Sequence, residues 1–254
     1  LCPSIMETKV LGTYAQYVLI PGHIASVNLF PKPEHLSFAE AALLEPLACV
    51  VHGLRRLKIR PDDAVLVVGP GAIGLLHVAA LRARGVENVI VAGTRSFRLE
   101  RAKKMGASIA VDVRSASLPD VIKEATGGRG ADVVIESTGR KEVWEEAPAL
   151  ARRGGHVVLF GGLPGGTRVS FSSDRLHYDE ITLHSPFHFT PEDVAEARDL
   201  LVEGLPGAPL LITDAYTLDE TPRAFERLQS GDCIKCAILP WAKSGEEARR
   251  ALAS

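Results

Sequence analysis

From residue 65 onward the chain alternates short runs of β-branched apolar residues with longer stretches whose apolar positions recur every three or four residues. The first pattern suits buried parallel strands and the second amphipathic helices. Strands are expected at 65–68, 88–92, 109–111, 132–136 and 156–160, with a sixth at 181–184, and helices at 75–84, 96–105, 118–125 and 141–152. Such repetition predicts an α/β fold, a doubly wound, open, parallel six-stranded sheet with helices on both faces. Upstream, 12–21 reads as a strand pair entering a loop. Ser37-Phe38-Ala39-Glu40 has capping-box spacing and opens a short helix through Leu44. Pro46 suits the first turn of a second helix, on which Leu47, Val50, Leu54 and Leu57 share a face. Beyond Pro186 the pattern changes: a helix capped at Thr190 runs to about Val202, followed by a strand at 210–216, a helix at 219–228, a strand at 234–239 and a polar, helix-compatible tail.

The junction between the first strand and its helix carries Gly69-Pro70-Gly71-Ala72-Ile73-Gly74, a G-x-G-x-x-G. Gly69 permits a tight turn, Gly71 lets backbone approach a pyrophosphate, and Gly74 allows close helix–strand packing. The helix N-terminus, with Ala72 and Ile73, offers N–H groups and a positive dipole end to phosphates. In this strand–helix context the motif points to a dinucleotide. Nineteen residues after Gly74, where an NAD site places a carboxylate on the ribose, the chain has Gly93 followed by Thr94 and Arg95, with Arg98 beyond. A carboxylate would repel a 2′-phosphate. Glycine removes that repulsion, and two arginines supply permanent bidentate donors, so NADP(H) is expected before NAD(H). The alternative is that these arginines only solvate a helix start.

Composition narrows the class without choosing a chemistry. The 254 residues are 46% hydrophobic and 24% charged, with a formal net charge of −2, which gives no reason to expect nucleic acid or an anionic membrane as partner. No apolar run is long enough to span a bilayer, no signal-peptide pattern is visible, and four scattered cysteines do not make a disulfide framework. A cytoplasmic protein is the default reading.

Four stretches together resemble the zinc-dependent medium-chain dehydrogenases, nearest to the sorbitol/polyol and threonine dehydrogenase-like branch. They are Gly12-Thr13-Tyr14-Ala15-Gln16-Tyr17-Val18, Leu36-Ser37-Phe38-Ala39-Glu40-Ala41-Ala42-Leu43-Leu44-Glu45-Pro46-Leu47, the glycine motif, and Ala224-Phe225-Glu226-Arg227-Leu228. The resemblance implies a Rossmann nucleotide domain at 47–186. Segments 1–46 and 187–254 would belong to a GroES-like catalytic domain whose N-terminal part would precede residue 1. It also implies hydride transfer between NADP(H) and an alcohol, polyol or carbonyl, assembly as a homodimer or homotetramer through the edge strand at 181–184, and G-[ST]-R at 93–95 as an NADP(H) mark. Carried over by position, Ile73 presses on one nicotinamide face and Cys49 approaches the other. Ser137 and Thr138 lie along the cofactor, Phe160, Gly161 and Gly162 offer backbone groups to the carboxamide, and Lys235 turns toward the pyrophosphate. The residues themselves also permit core roles for Cys49 and Ile73, a solvated lysine at 235 and a structural loop at Gly161-Gly162.

A catalytic zinc takes three protein ligands and leaves one open position. The resemblance matches one of them to Glu45, which could equally cap its helix; the others would lie upstream. Likewise Leu1-Cys2-Pro3 resembles the sequence around the last of four structural-zinc cysteines, and Cys2 alone cannot hold that metal. Cys233 and Cys236, on an expected strand, would face opposite sides and read as ordinary small apolar residues. The rival functional readings are a zinc-free reductase of the quinone-reductase kind, and a truncated nucleotide-binding module without catalysis.

Overall fold

The computed structural model describes residues 13–253. They form two compact units, one comprising the chain up to Ala39 together with Ile212 onward, the other Glu40–Leu211.

The chain enters through a bend, not through the expected strand pair at 12–21. Gly12 lies outside the described residues, and no strand forms from 13 to 21. A strand needs a partner ladder, and this stretch is fixed by side chains: Gln16 donates to the Pro240 carbonyl, and Tyr14 and Tyr17 meet Phe225 and Trp241 edge to face. Helix α1 (Gly22–Asn28) starts at Pro21, whose carbonyl accepts from Ile24 and Ala25. Helix α2 (Phe38–Ala41) ends three residues before the expected Leu44, because Leu43 turns back onto the Glu40 carbonyl. Helix α3 (Leu44–Arg55) follows, with Pro46 in the first turn where no amide donor is needed.

Glu40–Leu211 contains the sheet. Its strands are β1 (Ala64–Val68), β2 (Asn88–Gly93), β3 (Ile109–Asp112), β4 (Ala131–Glu136), β5 (Ala151–Leu159) and β6 (Thr182–His184). They run parallel in the order β3-β2-β1-β4-β5-β6. This is the doubly wound Rossmann order, in which the strand order reverses between β1 and β4 and opens a crevice at their C-terminal ends. The connecting helices are α4 (Ala72–Ala83), α5 (Ser96–Lys104), α6 (Leu118–Ala125), α7 (Lys141–Leu150) and α8 (Ser173–His177). All of β1 is buried, and α4 is buried continuously from Gly74 to Leu81.

Two expected boundaries move. Helix α7 stops at Leu150, not Arg152, and β5 begins at Ala151, five residues before the expected start. Ala151 pairs with Ala131, and the Arg152 guanidinium binds the buried Asp132 carboxylate. A register shift there, with Gly154 at φ +67°, absorbs the irregularity. The second change concerns α9 (Pro191–Val202). Its Asp193 is buried, completes a capping box with Thr190, and takes His52 Nδ1 at 2.9 Å and Arg55 Nε at 2.7 Å from α3. That anchorage, with buried Leu201, Leu205, Ala208 and Leu211, carries the unit past residue 187 to Leu211. The expected strand at 210–216 accordingly starts late, after a 3₁₀ turn at Ala208–Leu211.

In the smaller unit, β7 (Ile212–Thr217), α10 (Thr221–Ser230) and β8 (Lys235–Leu239) make a parallel β-α-β pair, followed by α11 (Gly245–Ala253). Among the described residues no helix is long and apolar enough to cross a membrane.

Candidate functional site

The crevice between β1 and β4 is floored by the glycine motif. Gly69 sits at φ +99°, donates its N–H to the Ala92 carbonyl at 2.9 Å, and has no room for a side chain: a Cβ would lie 2.7 Å from Thr138 Cγ2. A Cβ on Gly74 would lie 2.0 Å from the Gly69 carbonyl oxygen, so the helix is pressed against its own entry loop. At Gly71 nothing stands within 4 Å of a Cβ position. Gly71 is also the N-cap of α4 and supplies no side-chain cap, which leaves the first-turn amides to a ligand. Tight glycines on the protein side and an open one on the cleft side are what a phosphate-bearing ligand requires.

A cavity of about 460 Å³ opens here, lined by Gly69, Gly71, Gly93, Thr94, Arg95, Arg98, Ser137 and Thr138 together with Pro70, Val113, Arg140 and Val143. Three guanidinium-bearing residues thus border one crevice. Arg98 lies over the Phe97 ring at 5.5 Å, and Arg140 forms a loose ion pair with Glu142 at 3.7 Å. Gly93 also has a steric reason to be glycine: a Cβ would meet the Pro70 ring at 2.5 Å. Any preference for a 2′-phosphate therefore rests on the arginines.

The far wall is tied together by Glu136, a buried carboxylate absent from the sequence reading. Its Oε1 accepts from the Thr138 and Gly139 amides and from the Thr138 hydroxyl. The Ser137 hydroxyl lies within hydrogen-bond distance of the Val68 and Gly69 carbonyls, at 2.9 and 3.1 Å. Next to this wall, the Phe160 and Gly161 amides both donate to the Glu136 carbonyl, and Trp144 Nε1 donates to the Gly161 carbonyl at 2.7 Å. Those two amides are thus engaged by the protein, and the Phe160 carbonyl and Gly162 are left among the backbone groups expected beside a carboxamide. Gly161 must be glycine because a Cβ would lie 2.2 Å from the Gly139 nitrogen. Only the terminal glutamate of an otherwise apolar run, followed by Ser-Thr-Gly, hinted at Glu136. Arg140, directly after Gly139, is the N-cap of α7 and was not singled out by the sequence.

His77, on α4 behind Ile73, is fully buried. Its Nδ1 lies 3.0 Å from the Ile73 carbonyl, and its ring meets Phe160 edge to face at 4.7 Å. Burial, reinforced by Arg84, pulls its pKa down to about 4 although the Ile73 carbonyl opposes this. The residue is a neutral packing element joining two expected cofactor contacts.

Glu45 and Cys49 lie one turn apart on α3, with Sγ donating to Oε1 at 3.6 Å. Burial, followed by the nearby Glu45 charge, pushes the Cys49 thiol up to about 12. The one group of three metal-ligating side chains among the described residues is elsewhere, in the smaller unit. Cys2 lies outside the described residues, and Lys235 belongs to the smaller unit, on β8.

Residues 72–203 match the family model described as zinc-binding dehydrogenase. Over 245 residues the chain is 32% identical to sorbitol dehydrogenase of Bacillus subtilis (strain 168), covering 94% of this chain and 68% of that protein. A structure from Sinorhizobium meliloti 1021, described as a zinc-binding dehydrogenase bound to NADP, aligns with TM-score 0.76 at 30% identity, covering 83% of this chain and 62% of that one. A short chain alcohol dehydrogenase from E. coli CFT073 complexed with NADH aligns with TM-score 0.75 at 25% identity, covering 83% and 61%. The chain spans about two thirds of the length of the curated relative it matches. The crevice and the comparisons agree on the class, a dinucleotide-binding Rossmann protein. The chain belongs to the zinc-binding dehydrogenase family.

Proposed function

We propose that this chain is the NADP(H)-binding part of an oxidoreductase that transfers hydride between the cofactor and an alcohol, a polyol or the corresponding carbonyl. The observation that carries the reading is the cleft with two ends: glycine backbone and the open α4 N-terminus at one, Thr94, Arg95 and Arg98 at the other. Sorbitol dehydrogenase among the relatives supports the polyol class.

The nicotinamide supplies a carbon that accepts or gives hydride. The chain's residues bind and orient the molecule around it. The Ala72, Ile73 and Gly74 amides take the pyrophosphate, while Arg95 and Arg98, helped by Arg140, neutralise a 2′-phosphate. Ser137 and Thr138, held by Glu136, line the cofactor's path. Ile73 and Cys49 face the nicotinamide from its two sides, with the Phe160 carbonyl and Gly162 beside its carboxamide and Lys235 reaching toward the pyrophosphate. Glu45 is one zinc ligand or second-sphere acceptor, and Cys2 one of four structural-zinc ligands. Both metals need ligands beyond these residues, so the polypeptide 1–254 alone binds cofactor without oxidising alcohols. The edge strand β6 pairs with a second copy in a homodimer or homotetramer, and the protein works in the cytoplasm.

Fluorescence titration with NADPH and NADH tests the reading. Wild type should prefer NADPH, and Arg95→Ala should lose about tenfold in NADPH affinity, roughly one charged hydrogen bond, with NADH little changed. Equal affinities for both cofactors in wild type would overturn the NADP(H) assignment.

A further inference from the structure

In the smaller unit, the β-α-β pair brings three metal-ligating groups together. Cys236 Sγ lies 3.6 Å from Cys233 Sγ, and a carboxylate oxygen of Asp214 joins them so that all three donor atoms lie within 4.8 Å of one another. The strand alternation expected for 234–239 would have put the two thiols on opposite faces. It fails because β8 begins only at Lys235: Cys233 belongs to the turn after Gly231, which closes α10 in the left-handed conformation at φ +74°. Cys236 then pairs in register with Asp214 across β7 and β8. Cys233 is buried, and Cys236 and Asp214 are partly exposed.

We infer that Asp214, Cys233 and Cys236 form a binding site for a thiophilic divalent cation of the zinc type, built from none of the residues assigned to the cofactor. Tetrahedral zinc with Zn–S bonds of about 2.3 Å holds two thiolates roughly 3.8 Å apart. The observed 3.6 Å is close to that spacing and far from the ~2.05 Å of a disulfide. The ionised donor set carries three negative charges. A divalent cation leaves one, and Arg227, whose Nε lies 3.5 Å from Asp214 Oδ2 and whose Nη1 lies 3.5 Å from Asp232 Oδ2, offsets part of it while holding the carboxylate in place. A cavity of about 480 Å³, lined by Asp214, Tyr216, Arg223, Arg227 and Ser230, borders the group on its Asp214 side, and a tetrahedral ion would take a water as its fourth ligand. The thiols are hydrogen-bonded to carbonyls of α10, Cys233 to Arg227 and Cys236 to Ala224. Bound metal would clip the end of α10 to β8 and fix the backbone of Lys235, which stands between the two cysteines.

Cadmium is the probe. The full chain, stripped with chelator and kept reduced, is titrated with Cd²⁺ while thiolate-to-cadmium charge-transfer absorption is read, alongside a Cys233→Ser/Cys236→Ser double variant and Asp214→Asn. Cys2 and Cys49 are present in every sample and cancel in the comparison. Wild type should bind one equivalent more than the double variant. Asp214→Asn should retain the thiolate band with at least about tenfold weaker affinity. Equal stoichiometry in wild type and double variant, or Asp214→Asn indistinguishable from wild type, overturns the site. If the double variant does not fold by circular dichroism, the rate at which a thiol reagent labels Cys236 in wild type decides. Zn²⁺ should slow that labelling about tenfold, and no protection rejects the proposal. None of these readouts involves NADP(H), so failure here leaves the cofactor assignment to its own test.

Discussion

Every residue of β1, Ala64 to Val68, is buried, whereas every residue of β8, Lys235 to Leu239, is only half-buried. Both strands belong to parallel β-α-β units with similar apolar content. The larger unit has six strands flanked by helices, so β1 is covered on both faces and both edges. Among the described residues the smaller unit has two strands, which by themselves are marginal in water. Its described residues also leave Tyr17, Leu19 and Trp241 largely exposed. The difference teaches that apolar sequence specifies what could be buried, and the number of layers available decides how much is. The larger unit can therefore build a cleft from its own core.

The molecule carries a reporter in each unit, since Trp144 belongs to the larger and Trp241 to the smaller. Single-tryptophan variants allow denaturant unfolding to be followed separately. Leu66→Ala, in the middle of β1, should cost about 2–5 kcal/mol on the Trp144 signal. Ile238→Ala in β8 should cost about 1 kcal/mol on the Trp241 signal, because a half-exposed side chain loses less transfer energy and leaves an open notch. Equal losses would break the contrast between the two units.

The next effect depends on pH. His77 has its pKa lowered in the folded state, from the usual 6.5 to about 4. Between those values the unfolded chain binds the proton and the folded chain does not, so stability falls as pH drops through 6.5 and the full loss is reached below about 4. The drop corresponds to about 3 kcal/mol. His77→Leu fills similar space without a titrating group and should flatten the Trp144-detected stability profile over that range. His184, also lowered chiefly by burial, leaves a smaller slope of the same sign. An unchanged profile in His77→Leu would remove buried histidine as the origin of acid sensitivity.

The smallest expected effect lies on α11. Arg250 and Glu246 pair one turn apart with both side chains mostly exposed. Glu246→Gln should change stability by less than about 0.5 kcal/mol, and the change should vanish in high salt. A larger effect on Trp241 would mean that the smaller unit relies on surface charge more than its geometry indicates.

Much of this was legible in the residues, and the exceptions share a cause. The runs at 65–68, 88–92 and 132–136 became strands nearly as expected because a continuous β-branched run between turn residues has few other ways to be buried. Ala151 to Gly155 did not look like strand, being charged and glycine-rich, yet it extends β5 because Asp132 offers Arg152 a buried partner. Gly93 was legible as a departure from the carboxylate position, but its contact with Pro70 was not, since the two lie 23 residues apart and meet only when β1 and β2 pair. Glu136 gave almost no signal, because a carboxylate at the end of a buried strand makes sense only when its amide partners have folded around it.

By itself, the sequence determined the strand–helix alternation, the dinucleotide turn and the arginines after β2, since each follows from local periodicity, glycine conformational freedom and charge. Only the tertiary structure decided which groups meet. It joined Asp193 to His52 and Arg55, set Arg140 on the same cavity as Arg95, and brought Cys233 to Cys236 and Asp214. Those meetings depend on strand register and on where a strand begins, and a shift of one residue there turns a side chain from one face to the other.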